Sequence, residues 1–133
     1  MNQRLTRIIR TEEDVVGLTL SLSNFLARFG ISLQEKNRCL TICSELAYNI
    51  VKYAGIGMVE IERVSDDGAL YMAIRSRDEG PGIPEVEEAM SDGFSSGGTL
   101  GLGLPGVRRL SDHFEIDSVV GNGTIVIAHV QIK

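Results

Sequence analysis

The scarcities in this 133-residue chain narrow the possibilities first. Basic residues are outnumbered, thirteen Lys and Arg against eighteen Asp and Glu, giving a formal charge of −5 and a pI near 5.0. Nucleic-acid binders carry basic stripes, so nucleic acid is not an expected partner. No apolar run approaches the ~18 residues of a membrane helix, and the opening MNQRLTRIIRTEED lacks a signal-peptide core. A cytoplasmic protein is expected, with no membrane partner. Cysteine is limited to Cys39 and Cys43. Four residues apart on a helix, their Cβ atoms stand roughly 5–6 Å apart, beyond the ~3.8 Å of a disulfide. Neither His nor further Cys lies close enough in sequence for a zinc site, so both read as small core thiols. Internal repeats, low-complexity tracts and linkers are also missing. The length suits one domain spanning residues 1–133, and a hydrophobic fraction of 43% with mean hydropathy +0.07 describes a globular chain.

Periodicity supplies the elements. RLTRIIR, residues 4–10, reads as a strand. Thr11 with Asp14 forms a capping box ahead of Val15, Leu18, Leu22, Phe25, Leu26 and Phe29 at helical spacing, and Gly30 ends that helix. Ser32 with Glu35 opens a second helix that is expected to run to Ala54, with Gly55 just past its end. MVEIERV and ALYMAIRSRD, joined by SDDG, predict a hairpin. Pro84 suits the first position of a short helix, PEVEEAM. A further helix is expected over LPGVRRLSDH, then FEIDSVV, a GNG turn and TIVIAHVQI as a second hairpin. These elements predict an α+β fold, a two-layer α/β sandwich with helices on one face of a mixed, mostly antiparallel sheet.

Glycine, by contrast, is concentrated in two loops, DEGPGIP (residues 78–84) and GGTLGLGLPG (residues 97–106). GLGLPG matches G-x-G-x-x-G, but a polar loop precedes it instead of an aliphatic strand, so a Rossmann site fails on context. No P-loop string and no H-R-D occur. Gly101, Gly103 and Gly106 do lead into a helix, where free N–H groups and a positive dipole end make an anion site. The alternative is a flexible surface loop. Asp78 closes a strand and offers an acceptor for an exocyclic amine, while Gly80 and Gly82 remove side chains that would obstruct a flat ring. By itself this loop could equally be a tight turn.

The second helix is apolar on most of its circumference: Leu40, Cys43, Ala47, Ile50, Val51 and Ala54 on one side, Ile42, Leu46 and Tyr53 extending it. A narrow polar band holds Arg38, Thr41, Glu45, Asn49 and Lys52. Glu45, Asn49 and Lys52 project together at i, i+4, i+7 spacing. They suit either a solvated stripe or a metal–phosphate site, since oxygen donors hold Mg²⁺. The helical wheel leaves both open.

SELAYNIVKYA (residues 44–54), DEGPGIP and LGLGLPG occur in the order of the N box and two glycine boxes of the Bergerat-fold ATPases. The chain resembles that superfamily, which contains gyrase, MutL, the heat-shock ninety chaperones and histidine kinases. DGFSSGG before LGLGLPGVRRL, followed by GNGT, is similar to its subfamily of serine/threonine switch kinases from bacterial stressosomes. Anti-sigma-factor kinases are a more distant likeness. The resemblance implies ATP and Mg²⁺ as cofactors, with Glu45 as the general base, Asn49 as the Mg²⁺ ligand and Lys52 near phosphate. Asp78 would recognise adenine, supported by Thr124 through water, with Gly80, Gly82 and Ile83 beside the base. Gly101, Gly103, Leu104 and Gly106 would form the phosphate-binding end of a lid spanning residues 85–100, with Phe94 as an anchor and Ser95 and Ser96 as possible nucleotide contacts. It further implies STAS-domain substrates of the RsbS and RsbR kind and a PP2C-type phosphatase of the RsbU kind as activation target. Three roles stay open: protein kinase, nucleotide-held binding switch, or anti-sigma factor directed at a sigma factor. Arg75, Arg77, Tyr48, His113 and His129 receive no role.

Overall fold

The computed structural model describes residues 3–80 and 103–133. Five strands, β1 (Arg4–Ile9), β2 (Gly57–Asp66), β3 (Ala69–Asp78), β4 (His113–Val119) and β5 (Gly123–Ile132), form a sheet in the order β1-β2-β3-β5-β4. Helices α1 (Glu12–Leu26), α2 (Leu33–Asn49) and α3 (Gly103–Leu110) pack on one face of it. Alternation along each strand aims Ile9, Val59, Ile61, Met72, Ile74, Val126, Ala128 and Val130 at the helices, where all are buried. The expected two-layer α+β sandwich is therefore the observed one. Every described strand pairing is antiparallel, so the parallel component of the expected mixed sheet is not present among the described residues.

Local chemistry starts the helices where the sequence places them. Thr11 Oγ1 accepts the Asp14 N–H at 3.3 Å, while Asp14 Oδ2 accepts the Arg10 and Thr11 N–H groups at 2.8 and 3.1 Å. Ser32 and Glu35 exchange the same reciprocal bonds at 2.9 and 3.1 Å. Val15, Leu18, Leu22, Phe25 and Leu26 are buried beneath α1, and Phe29 packs at the edge of the core. Between β2 and β3, Asp67 and Gly68 both take positive φ, 52° and 85°, as a two-residue hairpin turn of matching twist requires. Cys39 and Cys43 are free, buried core thiols.

Two helix ends depart from expectation. Regular α-helix stops at Asn49, and Ile50–Ala54 continues as a π turn closed by the Gly55 N–H on the Ile50 carbonyl at 2.8 Å. The wider turn rotates the helix surface. Ile50 goes into the core against Gly57, while Tyr53, expected on the apolar side, is 49% exposed. Helix α3 ends at Leu110 instead of reaching His113. Its continuation is captured by the sheet: Asp112 donates its N–H to the His129 carbonyl at 2.8 Å, and its carboxylate accepts the Gln131 N–H at 2.7 Å.

Candidate functional site

The carboxyl end of α2 and the π turn lie over one end of the sheet, a junction with Ile50 against Gly57 and Ala54 against Gly80. Strand register sets the floor. Ile9, Gly57, Asp78, Thr124 and Ser118 form one row across all five strands. Directly opposed residues share a face, so Asp78 and Thr124 both stand on the helix-covered side, beyond the buried Ser76. The Thr124 hydroxyl meets Ser118 Oγ at 2.8 Å, and Asp78 Oδ1 accepts the Gly80 N–H at 2.9 Å. That last bond folds the chain back immediately after β3 and leaves Asp78 Oδ2 for another donor.

Gly80 is required by proximity. A Cβ there would lie 2.8 Å from the Cα and Cβ of Ala54, the last residue of the π turn. The first glycine of DEGPGIP thus serves the packing of loop against helix, whatever else it borders. Gly123 is still more confined: at φ +90° its Cβ would overlap the Asp78 carbonyl oxygen. Sequence reasoning treated GNG as a hairpin turn and missed this approach. It also missed Ser118, which becomes visible only once β4 and β5 are placed in register.

Glu45 occupies the other side of the junction. Its Oε2 is buried and has no hydrogen-bond partner among the described residues, although its carboxylate receives the main-chain N–H of Gly103. Burial raises its pKa above the ordinary carboxylate range, opposed in part by the Gly103 bond and the Lys52 charge. Asn49 follows one turn later, half-buried at the last residue of α2. Lys52 is exposed on the π turn, its Nζ 5.7 Å above the Tyr53 ring. A π turn places Asn49 and Lys52 at a distorted helix end, a geometry frequent at functional sites.

Gly103 begins α3, so its N–H is one of the donors that a helix leaves unpaired. Leu104 and Gly106 are buried inward in this helix, so a ligand would meet their main chain. Gly82, Ile83, Gly101, the lid with Phe94, Ser95 and Ser96, and the helix expected at PEVEEAM lie outside the described residues. Arg75 and Arg77 alternate with buried neighbours and face away from the helices. His113 and His129, isolated in the sequence, are register partners on that outer face, their rings 6.0 Å apart and each 5.7 Å from Tyr71.

A carboxylate at a strand end, a half-buried carboxylate and a helix N-terminus thus flank the carboxyl end of α2. Residues 9–130 match the model of the histidine kinase-like ATPase domain, and the chain belongs to that family. It is 44% identical over 128 residues to the serine/threonine-protein kinase RsbT of Bacillus subtilis (strain 168), covering 96% of each chain. The anti-sigma F factor of Geobacillus kaustophilus (strain HTA426) is 28% identical over 114 residues, 80% of this chain and 77% of that one. Among solved structures, the RsbU and RsbW domains of Rv1364c from Mycobacterium tuberculosis superpose with a TM-score of 0.67 at 16% identity. That match covers 97% of this chain and 32% of the longer one, and it supports the fold.

Proposed function

We propose that this chain is a cytoplasmic, Mg·ATP-dependent protein serine/threonine kinase, its whole length one catalytic domain. The observation that carries the reading is Glu45, a carboxylate with one buried oxygen lacking any described partner, held by the Gly103 N–H at the start of a helix. Phosphoryl transfer needs positioning and charge stabilisation more than covalent chemistry. A general base needs an available acceptor and a pKa moved toward neutrality, and burial supplies both here.

The residues present fit the cofactors. Asp78 Oδ2 would accept the exocyclic amine of adenine, with Thr124 beside it, and the described Gly80 would border the ring with Gly82 and Ile83. Ala54, where the Asp78 loop packs, lies nine positions beyond Glu45, across the end of α2 and the π turn. The α-helical part, Glu45 to Asn49, spans about 6 Å along the axis and the π turn adds to it, which separates the two ends as an extended nucleoside triphosphate would need. The first turn of α3 would offer main-chain donors to phosphate, and Lys52 a positive charge. Asn49 would hold Mg²⁺, which when bound neutralises phosphate charge. Glu45 would orient the acceptor hydroxyl and take its proton on Oε2.

The acceptor is proposed to be a serine or threonine on a STAS-domain protein of the RsbS or RsbR kind. Release from that partner would allow activation of a PP2C-type phosphatase of the RsbU kind. Identity near full length with RsbT favours this over anti-sigma activity, which the 28% relative keeps as the second reading. Purified protein, γ-labelled ATP and candidate STAS and sigma-factor partners decide between them. Label on the STAS protein, lost in Glu45→Ala, is the expected result. Capture of a sigma factor without STAS labelling would replace it with the second reading.

A further inference from the structure

The polar stripe of α2 begins with Arg38, which the site leaves unused. Arg38 precedes Glu45 by seven residues, two helical turns, so both project the same way. Its guanidinium donates to the Leu110 carbonyl through Nε at 2.9 Å and Nη2 at 2.5 Å. Nη2 also reaches Asp112 Oδ2 at 3.2 Å. Leu110 is the last residue of α3, and its carbonyl is among those a helix leaves without an internal partner. At the opposite end, Gly103 gives its N–H to Glu45.

Seven residues separate the contact points on both helices. Helix α3 therefore lies antiparallel along α2 and is held at each end by the same stripe. The signs suit its dipole, with a carboxylate at the positive end and a guanidinium at the negative end. A helix of eight residues is too short to be stable alone, so its position depends on these anchors and on packing through Leu104 and Val107.

We propose that Arg38 is a positioning residue for Glu45: it anchors the far end of α3 and so fixes where the Gly103 N–H holds the Glu45 carboxylate. This rests on the reading of Glu45 as the base. With one carboxylate oxygen engaged by Gly103, Oε2 keeps a set direction toward an acceptor hydroxyl. Slippage of α3 along α2 would free the carboxylate to rotate, and sub-ångström placement matters for a proton-taking group. Asp112 steadies Arg38 from the sheet side, since it also accepts the Gln131 N–H.

The test follows the Gly103 amide resonance by NMR, alongside phosphoryl transfer, in wild type, Arg38→Gln, Arg38→Lys and Asp112→Asn. Arg38→Gln is expected to shift the Gly103 proton upfield, away from the position a carboxylate-bonded amide takes. It should also lower kcat about tenfold with KM for the protein acceptor unchanged. Arg38→Lys keeps a cationic donor for Leu110 and should recover part of both effects. Asp112→Asn, which still accepts from Gln131 but loses the charge facing Arg38, should move both in the same direction as Arg38→Gln by a smaller amount. An Arg38→Gln protein with altered stability but an unmoved Gly103 resonance and unchanged kcat overturns the proposal. If that variant does not fold, Arg38→Lys decides: a partial Gly103 shift supports the clamp and none refutes it. A wild type that transfers no phosphate would defeat the kinase reading, while the Gly103 resonance would still judge the clamp.

Discussion

Gly80 sits so close to Ala54 that a Cβ added to it would come within 2.8 Å of the helix backbone. The end of α2 and the loop after β3 are thus locked together, which joins the Glu45 side of the junction to the Asp78 side. Gly80→Ala should destabilise the protein by about 1–3 kcal/mol, as overpacking does in a site unable to relax. Gly123→Ala should lose more, because it adds a positive-φ strain to its overlap with the Asp78 carbonyl. Urea unfolding of both variants checks the magnitudes and their order.

Replacing Glu45 by Gln retains its shape and removes its basicity. Phosphoryl transfer should fall by about a hundredfold or more, the usual contribution of a positioned base, while nucleotide affinity stays within a few-fold. Single-turnover transfer together with calorimetry separates these two effects. Equal transfer by the variant would remove Glu45 from the base role.

The same substitution has a pH signature. In the fold, burial raises the Glu45 pKa above its unfolded value. Between those two values the native state binds more protons than the unfolded chain, so stability falls as pH rises through the interval. The stability of wild type relative to Glu45→Gln should therefore fall as pH rises from the ordinary carboxylate range through the raised value, and stay level above and below that interval. Thermal melts across that range measure it.

Asn49→Ala should reduce ATP affinity in the presence of Mg²⁺ and make what remains indifferent to magnesium removal by EDTA. Titration calorimetry with and without the metal reads both. A variant with undiminished, still magnesium-dependent binding would move the metal ligand elsewhere.

Burial pushes the Cys39 thiol up to about 12 and raises the Cys43 thiol well above its ordinary value. The thiolate is the reactive form. A disulfide-exchange reagent at pH 8 should therefore modify neither residue in the native protein and both after unfolding.

Much of this was legible in the sequence because its causes are local. Capping boxes at Thr11 and Ser32, the Asp67–Gly68 turn and the apolar periodicity of α1 each act within a few residues, and the structure keeps all of them. Motif order likewise exposed the family, since glycine loops and an N box can be recognised without coordinates. The π turn was hidden: nothing local distinguishes it from a regular last turn, and its Ile50 packs against Gly57 from a different part of the chain. The early end of α3 was hidden for the same reason, because Asp112 bonds with β5 residues about twenty positions away.

Residue order by itself therefore decided which of the described segments curl, which extend and where the chain turns, as short-range sterics and hydrogen bonding require. Tertiary structure alone decided that Thr124 stands opposite Asp78, that Gly123 must carry no side chain, and that Arg38 and Glu45 grip the two ends of one helix. Those relationships depend on strand register and helix packing, which the whole core sets at once and no local stretch can encode.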